Sequence, residues 1–235
     1  MKEIFDEIKI EIPRFLMNTI SVLSKPRVFL LGLKKGSNHN QEQAIKKALI
    51  YFALCNLLCL VWQLPIYGEA KIMERSSLIY SLFIPTIFLL FSSVALKFSW
   101  KITGYNTPYF DYLILLSYHI GTLFNIFLFT NFINLSILKY FDVEKFRQVI
   151  EYNYLKNIEA NPNEDILTNW SYIFFYISGF LCLVSLISWF YYSWDSYKEL
   201  NNATKSKSII AAIIFTVLMI GVFFIDMAIV NGLKS

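Results

Sequence analysis

The chain has 235 residues, of which 56% are apolar and 16% charged, with a formal net charge of +4. A soluble domain carries about half apolar and about a quarter charged residues, so both figures argue against a water-soluble fold around one buried core. Charge-free windows at 48–68, 76–96, 112–138, 166–194 and 208–225 also exclude an outer-membrane barrel, whose strands alternate apolar and polar residues.

Each window is long enough to carry a helix across about 30 Å of hydrocarbon, and lipid leaves only helices or closed barrels with every backbone group paired. The predicted fold class is therefore all-α: a polytopic integral membrane protein with about five transmembrane helices and an N-terminal amphipathic interfacial helix. It divides into a cytoplasmic N-terminal segment, 1–47, and a transmembrane helical domain, 48–235.

The opening MKEIFDEIKIE mixes acids with two lysines and does not have the form of a cleavable signal. Residues 12–24, IPRFLMNTISVLS, place Ile12, Phe15, Leu16, Ile20 and Leu23 on one stripe, which predicts an amphipathic helix with Pro13 suited to a first helical position. Pro26 in the following KPRVFLLGLKKG should break or kink it. Between 12 and 47 stand Arg14, Lys25, Arg27, Lys34, Lys35, Lys46 and Lys47 against Glu42 alone. Beside apolar stripes, this charge predicts an element lying on anionic headgroups, at about 1 kcal/mol per basic side chain near the surface. The alternative reading packs the same region against the inner ends of the protein's own helices.

Spans are predicted near 48–68, 76–96, 112–138, 168–192 and 208–230. With the N-terminus inside, inner segments hold 14 of the 21 Lys and Arg and outer ones 7, so the positive-inside rule gives N-inside, C-outside. In the first span Asn56 and Gln63 share a face. In the third, Tyr118, Thr122 and Asn125 line up with His119 beside them, and Asn131 and Asn134 follow nearer the outer end. Two readings apply: hydrogen bonds between these spans or to a twin subunit, or a path for a substrate or proton with His119 titrating. Pro85 interrupts the second span.

The outer segment 139–165 places Val143, Phe146, Ile150 and Tyr154 at helical spacing behind Asp142, an amphipathic helix that serves as a lid or as a docking surface. The polar loop before the last span carries Lys205 and Lys207, counted with the basic partner-binding face. Asp226 lies a few residues from the outer end of that span and is read as an interfacial carboxylate.

No cofactor or metal is expected, since Cys55, Cys59, Cys182, His39 and His119 form no ligand spacing, and no HExxH, GxSxG or phosphate-binding glycine loop is present. An enzyme is therefore not expected.

SVLSKPRVFL before the first span, YFDYLILLSYHIGTLF entering the third with its Ser117-Tyr118 pair, and WDSYKELNNATKSKSIIAAIIF leading into the last resemble bacterial Yip1-domain proteins. The resemblance covers roughly 20–230, with Thr122 standing where the family commonly has proline. It implies a five-span, N-inside integral membrane protein without known catalysis, whose eukaryotic relatives act in vesicle traffic and bind small GTPases of the Rab type.

The functional expectation is a non-enzymatic bacterial inner-membrane protein acting as an oligomeric adaptor or scaffold through its basic cytoplasmic face. Its partners would be anionic lipid, a second copy and a cytosolic protein, with no direct nucleic acid binding. Two alternatives stand beside it: a small channel or transporter using the polar faces of spans one and three, and a membrane sensor or immunity subunit paired with a cytosolic effector.

Overall fold

The computed structural model describes residues 2–37, 40–67, 75–141 and 170–234, and these are almost entirely helical. In order they are α1 (Lys2–Ser24), α2 (Pro26–Ser37), α3 (Gln41–Tyr67), α4 (Arg75–Ile102), α5 (Tyr109–Phe141), α6 (Trp170–Leu200) and α7 (Lys205–Lys234). Five are long and apolar enough to cross a membrane, over Gln41–Trp62, Phe83–Ile102, Tyr109–Ile137, Tyr176–Leu200 and Lys205–Ile225. These helices overrun the charge-free windows at both ends, taking in Lys46, Lys47, Lys97, Lys101, Lys198, Lys205 and Lys207 at one and Arg75 and Lys139 at the other. Basic side chains do not end a helix, because their long stems carry the charge away from the apolar surface. The predicted outer helix from Asp142 to 165, and His39, lie outside the described residues.

The bundle is organised around α5, every residue of which from 112 to 122 is buried. It packs on α3, α4 and α6 and is touched at one end by α1 and α2, while α7 packs on α4. The closest seam is between α3 and α5, which run parallel: a Cβ added at Gly121 would lie 3.1 Å from Cys55 Sγ and 3.2 Å from its Cβ. A small residue here lets the two backbones approach, as at helix contacts within membranes. Cys55 and Cys59 are buried packing residues of that seam and Cys182 is half-buried, all three as free thiols.

The N-terminal helices are docked on the bundle. α1 ends at Ser24 and Pro26 opens α2, the break expected from a residue that cannot donate to the preceding turn. Pro13 is not a first helical residue; it lies inside α1, which begins upstream at Lys2. Val22, Pro26 and Leu30 are fully buried. Phe15 packs on Tyr51 at 5.3 Å and Phe29 meets the edge of Tyr118 at 5.2 Å between ring centroids. The predicted stripe is thus divided: Phe15 turns to the bundle, whereas Ile12, Leu16, Ile20 and Leu23 stay exposed, as does Met17 beside them.

Candidate functional site at the basic end of the bundle

Two turns build this end. After α4, Tyr105 N–H donates to the Trp100 carbonyl and Gly104 N–H to that of Lys101, both at 3.0 Å, with Gly104 at φ +93°. After α6, Ala203 N–H donates to Lys198 at 2.9 Å and Asn202 N–H to Glu199 at 3.0 Å, with Asn202 at φ +49°. Both are Schellman caps, which satisfy carbonyls a helix end leaves open and need a residue that accepts a left-handed backbone, usually Gly and sometimes Asn. The accompanying apolar contact is present after α4, where the Tyr105 ring meets Trp100 edge-on at 5.7 Å. Lys207 Nζ then sits 5.2 Å over the Tyr105 ring, so the start of α7 joins the same turn.

Asn201 ties the two turns together. Its Oδ1 accepts from Thr107 Oγ1 and Tyr112 Oη, and its Nδ2 donates to the Tyr197 carbonyl, each at 2.7 Å. One buried amide therefore links the loop before α5, α5 itself and the end of α6. A turn and a half below, His119 Nδ1 lies 2.8 Å from Tyr197 Oη and Nε2 lies 2.8 Å from Ser193 Oγ. Ser193 Oγ also donates to the Phe190 carbonyl at 2.9 Å. With that proton committed, Ser193 accepts from Nε2–H, and Nδ1 accepts the Tyr197 phenol. Every group is then used once, which assigns a neutral imidazole.

This Ser–His contact does not have the surroundings of a nucleophile and base. Ser193 is fully buried inside α6, whose amide N–H groups are engaged along the helix and offer no oxyanion donor. The arrangement locks α5 to α6. The seam between α3 and α5 is locked likewise: Tyr51 Oη is 2.7 Å from Thr122 Oγ1 and 3.3 Å from Thr19 Oγ1 of α1. The Tyr118 ring packs tilted against Tyr51, with centroids 4.6 Å apart. Asn125 Nδ2 crosses to the Cys55 carbonyl at 3.2 Å and also reaches Gly121 at 3.0 Å. Asn56 turns back on its own helix, donating to Phe52 at 2.9 Å.

Of the basic residues singled out from sequence, Arg14, Lys25, Arg27, Lys46, Lys47, Lys205 and Lys207 are all exposed. Arg27 forms an ion pair with Glu199, clamping α2 to α6. The side chains of Lys34, Lys35, Gln63 and Asp226 lie outside the described residues. Among the described residues no group of His, Cys, Asp and Glu is placed to hold a metal. Sequence reasoning missed Ser193, Tyr197 and Asn201, although they recur every fourth residue in SWDSYKELN, a polar stripe on one helix face that itself signals a buried contact.

A cavity of about 340 Å³ lies among α4, α5, α6 and α7, bordered by Leu96, Leu116, His119, Trp194, Tyr197 and Phe215 and reaching Phe88, Phe124 and Met219 at its other end. Ser193 is not among the residues that line it. No family model, curated protein or solved structure matches this chain.

Proposed function

We propose that this chain is an integral membrane protein of a bacterial inner membrane, N-terminus in the cytoplasm, that acts without catalysis as an adaptor for a cytosolic partner. Its five spans and basic N-terminal segment have the layout that a kinship with the Yip1-domain family implies, and that kinship is part of the proposal. The observation that carries the reading is the coincidence of charge and rigidity. Arg14, Lys25, Lys46, Lys47, Lys205 and Lys207 project from the end that the two capped turns, Asn201 and the docked α1–α2 pair hold in place. A basic surface on a fixed scaffold presents the same pattern to an acidic partner at each encounter, and electrostatic complementarity of that kind serves specificity and association rate. The polar faces of α3 and α5 favour this reading over a channel, since Tyr51, Thr122, His119 and the Asn125 amide nitrogen spend their hydrogen bonds on protein groups, and of that set Asn125 Oδ1 alone has no partner among the described residues.

The test is crosslinking from native membranes with mass spectrometry, comparing the wild type with Lys25→Glu, Lys46→Glu, Lys47→Glu combined. A soluble protein crosslinked to these lysines in the wild type and lost in the triple variant, with insertion retained, is the expected result. Equal crosslinking in both, or no companion in the wild type, overturns the adaptor.

A further inference from the structure

The cavity among α4–α7 is closed on three sides and open on one. α4 packs on α5, α5 on α6 and α4 on α7, whereas α6 and α7 do not pack along one another although they are consecutive. They meet near their shared turn, where Trp194 Nε1 donates to Ser208 Oγ at 3.1 Å and the Trp194 ring faces Phe215 at 5.7 Å. Beyond it the cavity faces outward between two helices whose spans are only 11% and 22% buried. In a bilayer that opening looks onto lipid tails.

The chemistry of the lining selects what enters. The polar atoms around it are already committed: both His119 nitrogens and the Tyr197 phenol to the lock, Trp194 Nε1 to Ser208, and Thr216 Oγ1 to the Ala212 carbonyl at 2.9 Å. No donor hydrogen remains to hold water, which needs two to four partners in a buried site, and only the hydroxyl lone pairs of Tyr197 and Thr216 are left. An empty space would forfeit dispersion contacts along its whole wall, while hydrocarbon is supplied at the mouth. The volume of about 340 Å³ falls at the lower end of ligand cavities, about 300–1,000 Å³.

Charge fixes which lipid. Leu96 is followed at once by Lys97, with Lys101 a turn further. Along α7, Phe215 and Met219 lie about 12 and 18 Å from Lys207 at 1.5 Å per residue. The cavity thus begins beneath the end of the bundle that carries Lys97, Lys101, Lys198, Lys205 and Lys207 together with Asp195 and Asp111, with Glu199 already paired to Arg27. We infer that this cavity holds one hydrocarbon chain of an anionic membrane lipid, entering between α6 and α7, with the headgroup met by Lys97, Lys101, Lys205 and Lys207. The inference rests on the membrane-spanning part of the proposed function and is independent of the adaptor.

The experiment is native mass spectrometry of the full chain released from nanodiscs of equal parts phosphatidylglycerol and phosphatidylcholine, after flotation with vesicles has established insertion. The wild type should retain one phosphatidylglycerol. Thr216→Trp and Met219→Trp, which take up cavity volume, should lose it, whereas Ile213→Trp on the exposed face of α7 should keep it. Lys205→Gln and Lys207→Gln should each lower retention relative to phosphatidylcholine about fivefold, the equivalent of about 1 kcal/mol per basic side chain near an anionic surface. Whichever filled variant retains wild-type thermal stability decides the matter. Equal retention in it and in Ile213→Trp means annular lipid only and overturns the site, as does an inserted wild type that carries no lipid. Failure to float overturns the membrane reading instead.

Discussion

The two ends of the bundle are built differently. At the basic end, α5 is buried on every side from 112 to 122, and its polar side chains bond across to α3 and α6. At the far end, Phe127, Phe129 and Ile133 of the same helix are exposed. Contact with α3 there rests on Trp62 against Phe129 and Phe132, at 4.9 and 5.7 Å. Buried polar atoms without a hydrogen-bond partner among the described residues occur at both ends, Trp100 Nε1 and Ser196 Oγ at the basic one and Asn134 Oδ1 at the far one, so the difference lies in the bonds made between helices. The lesson is about specificity: lipid tails are as apolar as leucine, so apolar contact alone hardly distinguishes one helix arrangement from another, whereas a directional bond does.

The largest effect should come from Gly121→Leu. The added side chain runs into Cys55 across the α3–α5 seam, and overpacking of this kind costs typically 1–3 kcal/mol, here about 3 because backbone must move. Gly221→Leu, on α7 where nothing lies within 4 Å of an added Cβ, should stay within about 0.5 kcal/mol. Reversible unfolding in mixed micelles measures both, and equal losses would erase the contrast between seam and exposed surface.

Asn201→Ala comes next. It leaves the Thr107 and Tyr112 hydroxyls without their shared acceptor, and should cost about 2 kcal/mol given about 1–3 for an orphaned buried group. Asn134→Ala at the far end, whose Oδ1 has no described partner to lose, should cost less than about 0.5 kcal/mol. The same unfolding assay ranks the two, and a reversed order would show that the basic end is not the better specified one.

The smallest change in stability belongs to Arg27→Gln. Arg27 and Glu199 are 47% and 33% exposed, and solvent-screened pairs are worth about 0–1 kcal/mol. The visible effect should be local: faster amide exchange in α2 with α5 unchanged, restored by the swap Arg27→Glu with Glu199→Arg. Exchange that rises equally in both helices would mean the ion pair does not act as a clamp for α2.

Much of this architecture is legible in the amino-acid order, and the limits of that legibility have a physical cause. Charge-free windows imply helices because an apolar run of that length must pair its own backbone. Pro26 breaks the N-terminal helix because it has no N–H to give, and the ends that carry Lys46, Lys47, Lys101, Lys205 and Lys207 gather on one side because alternate spans reverse direction. The tertiary structure alone decides which span is central. The candidate spans of α5 and α6 are similarly apolar, yet 61% of one and 11% of the other are buried inside the protein. Hydropathy reports the cost of leaving water, and both lipid and a protein core meet that cost equally. Which face of a helix meets a neighbour is decided instead by shape and directional bonds: Gly121 against Cys55, Asn201 among three partners, His119 between Tyr197 and Ser193. Apart from Asn201 with Tyr197, one turn apart on α6, those pairs are separated by tens of residues along the chain and exist only once the helices have packed.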